Sequence, residues 1–258
     1  MPVLAFVLHD PKDVESQFLR KITPFLKQHF TCVYIRFTHE TVQANKKSVE
    51  WFKCDGFFRT SECPENSPIG EHFVDIYKEV TMYSSSEEIV HLCTPDRLAY
   101  AVEFYPTELA HDLESANNLD VPLLFTRSKI AWATHPKTYY ALESALSKEG
   151  EVLFGKFFDF SWCHFVVKLK DLTQVIPHLS IQDYTFMAEM IVFFRDKLIM
   201  QEVDWLSWED PYIYSRNADE LRNEREHSTD ETAKRLSYVV PIMGFLARYY
   251  KNTSNSVK

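Results

Sequence analysis

The stretch from Val3 to Thr38, "VLAFVLHDPKDVESQFLRKITPFLKQHFTCVYIRFT", decides the fold. Its first six residues, Val3 to Leu8, are apolar without alternation, the pattern of a strand buried on both faces of a parallel sheet. Asp10-Pro11 follows, a capping acceptor and then a proline suited to the first position of a helix. Val14, Phe18, Leu19, Ile22, Phe25, Leu26 and Phe30 then recur at helical spacing among Lys, Arg and Gln. That predicts an amphipathic helix bent at Pro24. "TCVYIRFT" reads as the second strand. Strand, helix and strand in so short a span predict a parallel pair joined by a right-handed crossover.

The same alternation continues outward. Helical spacing appears around Thr41 to Phe52, a short strand near Gly56 to Thr60, and a helix after Ser67-Pro68. Strands are expected at Ile89 to Leu92 and Val121 to Arg127, with a helix at Leu98 to Tyr105 between them. "HPKTYYALESALSKEG" (His135 to Gly150) reads as a helix with a glycine stop. Phe157 to Leu169 reads as a strand pair or a bent strand, and a helix opens near Gln182-Asp183. "LIMQEVDWLSW" (Leu198 to Trp208) is a strand. Two helices fill Asn217 to Tyr250, the second opened by the capping-box spelling Ser228-x-x-Glu231. The expectation is one α/β domain over 1–215, a mostly parallel central sheet with helices on both faces. A helical appendix over 216–258 packs on it.

Composition narrows the function classes. The chain has 258 residues, 45% of them hydrophobic, enough to bury a large core. Only 5 are glycine, and neither GxGxxG nor GxxxxGK[ST] occurs, which excludes the dinucleotide and P-loop fingerprints. A formal charge of −9 without a basic stripe argues against nucleic acid as a partner. The five cysteines are scattered with no CxxC pair, as expected of free thiols in a reducing compartment. The first residues lack a basic leader pattern, and no apolar run reaches the ~20 residues of a membrane span. The chain therefore reads as soluble and cytoplasmic. No GxSxG or HExxH string points to a hydrolase or a zinc protease.

The chemistry concentrates where strands end. In "EEIVHLCTPDRLAYAVEF" (Glu87 to Phe104) an apolar strand runs into Asp96-Arg97 as a helix opens. His9 and Asp10 hold the matching place after the first strand. In open α/β sheets ligands collect beyond the carboxyl ends of the strands, so these four residues are candidates for one crevice. Asp10, Asp96 and Asp183 are equally good helix caps, each stabilising by about 1 kcal/mol. Both readings stand at this level. His135, before a proline, reads as a hydrogen-bonded structural residue.

The order of these motifs resembles that of GT-A type, nucleotide-diphospho-sugar transferase-like glycosyltransferases, from about Val3 to Trp208. His9-Asp10-Pro11 and Asp96-Arg97-Leu98 are also similar to the "HDP" and "DRLL" spellings of a group of glycosyltransferase-like proteins. The resemblance implies transfer of a sugar from a nucleotide-sugar donor to a hydroxyl acceptor. It places the nucleotide and diphosphate at His9, Asp10, Asp96 and Arg97, and a general base at Asp183. It also implies a Mn²⁺ or Mg²⁺ ion held through Asp96 in an Asp-x-Asp motif. The matching positions are Thr94, Pro95 and Asp96, so a threonine stands where the family carries its first carboxylate. Arg97 is the residue able to hold phosphate oxygens in place of the cation. The alternative is a non-catalytic GT-A-shaped nucleotide-sugar-binding or scaffold protein that lacks metal.

Overall fold

A computed structural model describes residues 1–255. In chain order the elements are β1 (Val3–Leu8), α1 (Glu15–His29), β2 (Cys32–Phe37), α2 (His39–Ala44), α3 (Lys46–Cys54), β3 (Phe58–Glu62), α4 (Ile69–Tyr83), β4 (Ile89–Cys93), α5 (Pro95–Phe104) and α6 (Pro106–Ala116). They continue with β5 (Leu123–Arg127), α7 (Lys129–Thr134), α8 (Lys137–Phe154), β6 (His164–Lys168), α9 (Leu169–Val175), α10 (Thr185–Phe194), β7 (Ile199–Val203), α11 (Asp210–Ile213), α12 (Ala218–His227) and α13 (Thr229–Asn255).

The strands form one sheet in the order β3-β2-β1-β4-β6-β5-β7. β1, β2, β3 and β4 are parallel, as are β5 and β7, while β6 runs antiparallel to both β4 and β5. Alternate residues of β1 serve two cores, because successive side chains leave opposite faces of a strand. Leu4, Phe6 and Leu8 meet Leu19, Ile22 and Leu26 of α1. Val3, Ala5 and Val7 share a core with Val74, Ile76 and Val80 of α4. Val239, Ile242 and Leu246 of α13 join that second core. This is the expected α/β class, helices on both faces of a mostly parallel sheet. No helix among the described residues is long and apolar enough to cross a membrane.

Three local expectations need correction. The stretch from Phe157 to Leu169 yields one strand, β6, preceded by irregular chain. Gly150 does not stop α8: it lies inside the helix, and the stop is Gly155, whose φ of +66° suits a residue without Cβ. Pro11 does not open α1, which begins at Glu15. Asp10 nevertheless serves that helix from outside, accepting the amides of Val14 (2.8 Å) and Ser16 (2.7 Å) on its two oxygens.

Candidate functional site

From β1 the chain moves outward through β2 and β3, then returns to lay β4 on the other side of β1. The sheet therefore reverses direction between β1 and β4, and the crevice beyond their carboxyl ends is where open α/β sheets receive ligands. A chamber of about 70 Å³ sits at this switch point, lined by Ala5 of β1, Cys93 and Thr94 at the end of β4, and Tyr77, Tyr184 and Phe186. Tyr184 and Met187 also line a second chamber of about 130 Å³, bordered by Arg97, Arg127, Ser161, Cys163 and Arg235. The two meet across these shared side chains.

Thr94 occupies the N-cap of α5, yet its side chain makes no capping bond. Its hydroxyl is buried without a hydrogen-bond partner among the described residues. A buried hydroxyl left unpaired costs about 1–3 kcal/mol, so a ligand group that pairs with it recovers that penalty.

Arg97 is buried and heavily committed. Its Nε lies 2.6 Å from Glu209 Oε2. Its Nη1 reaches His135 Nε2 at 2.9 Å and donates to the carbonyls of Leu206 (3.1 Å) and Ser207 (3.0 Å). His135 Nδ1 lies 2.9 Å from the Ala131 carbonyl, so Nδ1 carries the proton and Nε2 accepts from Arg97. Burial and the charges of Arg97 and Arg127 hold His135 well below the usual imidazole range.

Beside it lies a second network. Arg127, at the end of β5, donates to both oxygens of Asp159 (2.8 and 3.0 Å from Nη2) and to Glu143 (2.7 Å). Arg235 of α13 approaches the other Glu143 oxygen at 3.2 Å, and its guanidinium lies 3.7 Å from the centre of the Tyr139 ring. Burial opposes the Glu143 charge, but Arg127 and Arg235 hold its carboxyl below the ordinary value.

The sequence-predicted residues divide into three places. Asp10, Asp96 and Arg97 come together at the β1/β4 edge, where Asp96 Oδ1 accepts the Arg97 amide at 2.7 Å. Glu15 lies among them, and burial with the charges of Asp96, Asp10, Glu209 and Asp210 pushes its carboxyl well up. His9 sits on the exposed rim, with Nδ1 3.0 Å from the Thr38 hydroxyl. Asp183 lies before α10 and accepts the Thr185 amide at 2.8 Å. Its carbonyl packs on α4 so closely that a Cβ at Gly70 would stand 2.6 Å from it, which requires glycine there.

Asp96 was expected to hold a divalent cation, and the residues do not fit one. Such an ion wants about six hard oxygen ligands. Among the described residues no group of three or more His, Cys, Asp or Glu is placed to hold a metal ion. Thr94 replaces one carboxylate, both Asp10 oxygens accept backbone amides, and Glu209 faces Arg97. Sequence reasoning also passed over Arg127, Glu143, Asp159 and Arg235. One signal was present: "LLFTR" ends a buried strand in a basic residue, just as Asp96-Arg97 follows β4.

No family model matches this chain, and no curated protein matches it. Solved structures similar to it include nucleotide-diphospho-sugar transferases. A putative one from Desulfovibrio desulfuricans is 12% identical, covers 97% of this chain and 99% of its own, and gives a TM-score of 0.46. Glucosyl-3-phosphoglycerate synthase from Mycobacterium tuberculosis, solved with Mn²⁺, uridine diphosphate and glucosyl-3-phosphoglycerate, is 13% identical. It covers 87% of this chain and 77% of its own, with a TM-score of 0.46. The 4-diphosphocytidyl-2C-methyl-D-erythritol synthase of Anaerococcus prevotii is 10% identical, covering 85% and 98%, with a TM-score of 0.46.

Proposed function

We propose that this chain is a GT-A-like glycosyltransferase that takes a nucleotide-sugar donor at the β1/β4 switch point without a metal ion. The observation that carries this reading is the paired chamber there, with the unpartnered Thr94 hydroxyl buried in its wall. Chambers of about 130 and 70 Å³ suit a glycosyl group. A complete ligand of nucleotide-sugar size needs roughly 300 Å³ or more, so the nucleoside extends outward past Asp10 and His9.

The proposed roles combine position with the family resemblance: Thr94 lines the smaller chamber, and Asp183 precedes Tyr184, which borders both chambers. Thr94 donates to a donor oxygen, and the N-terminal amides of α5 face the diphosphate. Arg97 and Arg127 offer N–H donors along the larger chamber beside Glu143, while keeping their internal partners. Asp183 takes the proton of the acceptor hydroxyl as that oxygen bonds the anomeric carbon and the bond to the diphosphate breaks.

Two substitutions test Asp183. Asn keeps an acceptor for the Thr185 amide and removes the basicity; Ala removes both. Asp183→Asn is expected to lower turnover about hundredfold or more with donor affinity and thermal midpoint unchanged. Asp183→Ala is expected to add a stability loss of about 1 kcal/mol. Full turnover in Asp183→Asn would remove the residue from the chemistry.

One feature favours a second reading, a non-catalytic binding protein. Arg97, expected at the diphosphate, and Asp10, expected at the nucleotide, are engaged by partners within the fold. Under that reading donors bind and no transfer or hydrolysis follows with any acceptor.

A further inference from the structure

The chamber of about 130 Å³ is walled by three guanidiniums, Arg97, Arg127 and Arg235, and by one carboxylate, Glu143. The carboxylate and carbonyl acceptors of this wall are already engaged. Glu143 Oε2 takes Arg127 Nη1 at 2.7 Å, and Oε1 takes Arg235 Nη1 at 3.2 Å. The Ser161 carbonyl accepts from Arg127 Nη2 at 3.3 Å and from the Cys163 thiol at 3.8 Å.

Several donors of the same wall are not engaged. Arg235 Nε is buried with no hydrogen-bond partner among the described residues. Arg97 uses Nε and Nη1 within the fold and leaves Nη2 without a hydrogen bond among the described residues. The rings of Tyr184 and Tyr238 meet edge to face at 4.8 Å. Their hydroxyls make no hydrogen bond among the described residues. Both arginines are held in place in advance: Arg97 by Glu209 and two carbonyls, Arg235 by Glu143 and the face of Tyr139.

A buried donor without a partner carries a penalty, and the group that relieves it best is one that only accepts. An ionised carboxylate is such a group. Its bonds to guanidinium are charge-assisted, about twice as strong as neutral ones, and its two oxygens can serve two arginines. A sugar hydroxyl also accepts, but it brings a proton, and the carboxylate and carbonyl oxygens of the wall are taken.

We infer that the glycosyl group held in this chamber carries a carboxylate between Arg97 and Arg235, so that the donor is a nucleotide-linked uronic acid. The inference rests on the switch-point reading of the donor site given above. Arg235 and Tyr238, both on α13, are then the residues that select the acidic sugar, while Thr94 and the start of α5 hold what all donors share.

Calorimetric titration without any acceptor tests this on three pairs: UDP-glucuronate with UDP-glucose, GDP-mannuronate with GDP-mannose, and dTDP-glucuronate with dTDP-glucose. In one pair the uronate is expected to bind about tenfold tighter or more. Arg235→Lys keeps a charge for Glu143 and removes Nε, whereas Tyr238→Phe removes a hydroxyl alone. The first is expected to shrink the preference about tenfold and the second about threefold, both through weaker binding of the uronate. If the neutral sugar binds as tightly as its uronate, or if the preference survives both substitutions, this inference is overturned and the donor site stands. If none of the six binds, the donor-site reading falls and this inference falls with it.

Discussion

Between about pH 6.5 and about pH 4 three imidazoles that are buried neutral are expected to withdraw folding stability, His91 alone about 3 kcal/mol. His91 and His164 lie between β4 and β6, with His91 Nδ1 2.9 Å from His164 Nε2 and His91 Nε2 3.1 Å from Asn117 Oδ1. Asn117 Oδ1 only accepts, so His91 carries its proton on Nε2, and its Nδ1 takes the proton of His164. Around them stand Phe30, Phe125 and Trp205, with no carboxylate among these contacts. Burial pushes His91 down to about 4 and His164 well below the ordinary value, with the His91 charge adding to the second. His135, under Arg97, is depressed as well.

For each of these groups the folded-state pKa is the lower one. The unfolded chain therefore binds protons first as pH falls through about 6.5, and stability drains away until the folded pKa is reached. His91 alone, moving from about 6.5 to about 4, accounts for roughly 3 kcal/mol. Glu15 and Glu209, whose carboxyls are raised chiefly by burial (Glu209 to about 8), act in the opposite sense and offset part of the loss. Urea midpoints followed by circular dichroism at intervals from pH 7 to pH 4 measure the effect. A flat profile would mean that the imidazoles titrate freely and that the buried pair does not form.

Replacing Arg127 by Met is expected to cost about 3–5 kcal/mol, the penalty for stranding a buried charge. Arg127 is the only cation within 4 Å of Asp159 among the described residues, and it shares Glu143 with Arg235. Its guanidinium also stacks 3.7 Å from the centre of the Trp132 ring, so the change loses packing along with charge. Removing Glu143 and Asp159 as well, with Leu at both, should recover most of the loss, since no carboxylate is then left unpaired. Chemical denaturation of the two variants compares them directly. A loss below about 1 kcal/mol in Arg127→Met would show that water already reaches the network.

Much of this fold was legible because burial on both faces writes itself into sequence. Val3 to Leu8 and Leu123 to Arg127 are continuous runs, and their strands lie within a residue or two of the expected positions. Ser228 caps α13 as its spelling implied, accepting the Glu231 amide at 3.2 Å. Strand order was not legible. Nothing local in "HFVVK" says that β6 slips antiparallel between β4 and β5. Gly150 looked like a stop because the local signal for glycine is conformational. In the fold it is steric: a methyl there would stand 2.2 Å from the Phe160 ring.

The site was half legible for the same reason. Asp10, Asp96 and Arg97 announce themselves at strand ends, where sequence patterns are strong. Their partners do not: Glu209 meets Arg97 across more than a hundred residues, and Arg235 meets Glu143 across 92. Long-range pairing of charges follows from sheet order, and sheet order is what a single sequence leaves open.

The central claim is that a nucleotide-sugar occupies the chambers at the β1/β4 switch point without a metal ion. Calorimetric titration of the chain with UDP-, GDP- and dTDP-sugars, with and without Mn²⁺, tests it most directly, with Thr94→Val run alongside. One donor is expected to bind equally well in both conditions, and Thr94→Val to weaken it about tenfold through the lost hydrogen bond. If no donor binds, if binding demands Mn²⁺, or if Thr94→Val binds as tightly as the parent, the account is contradicted.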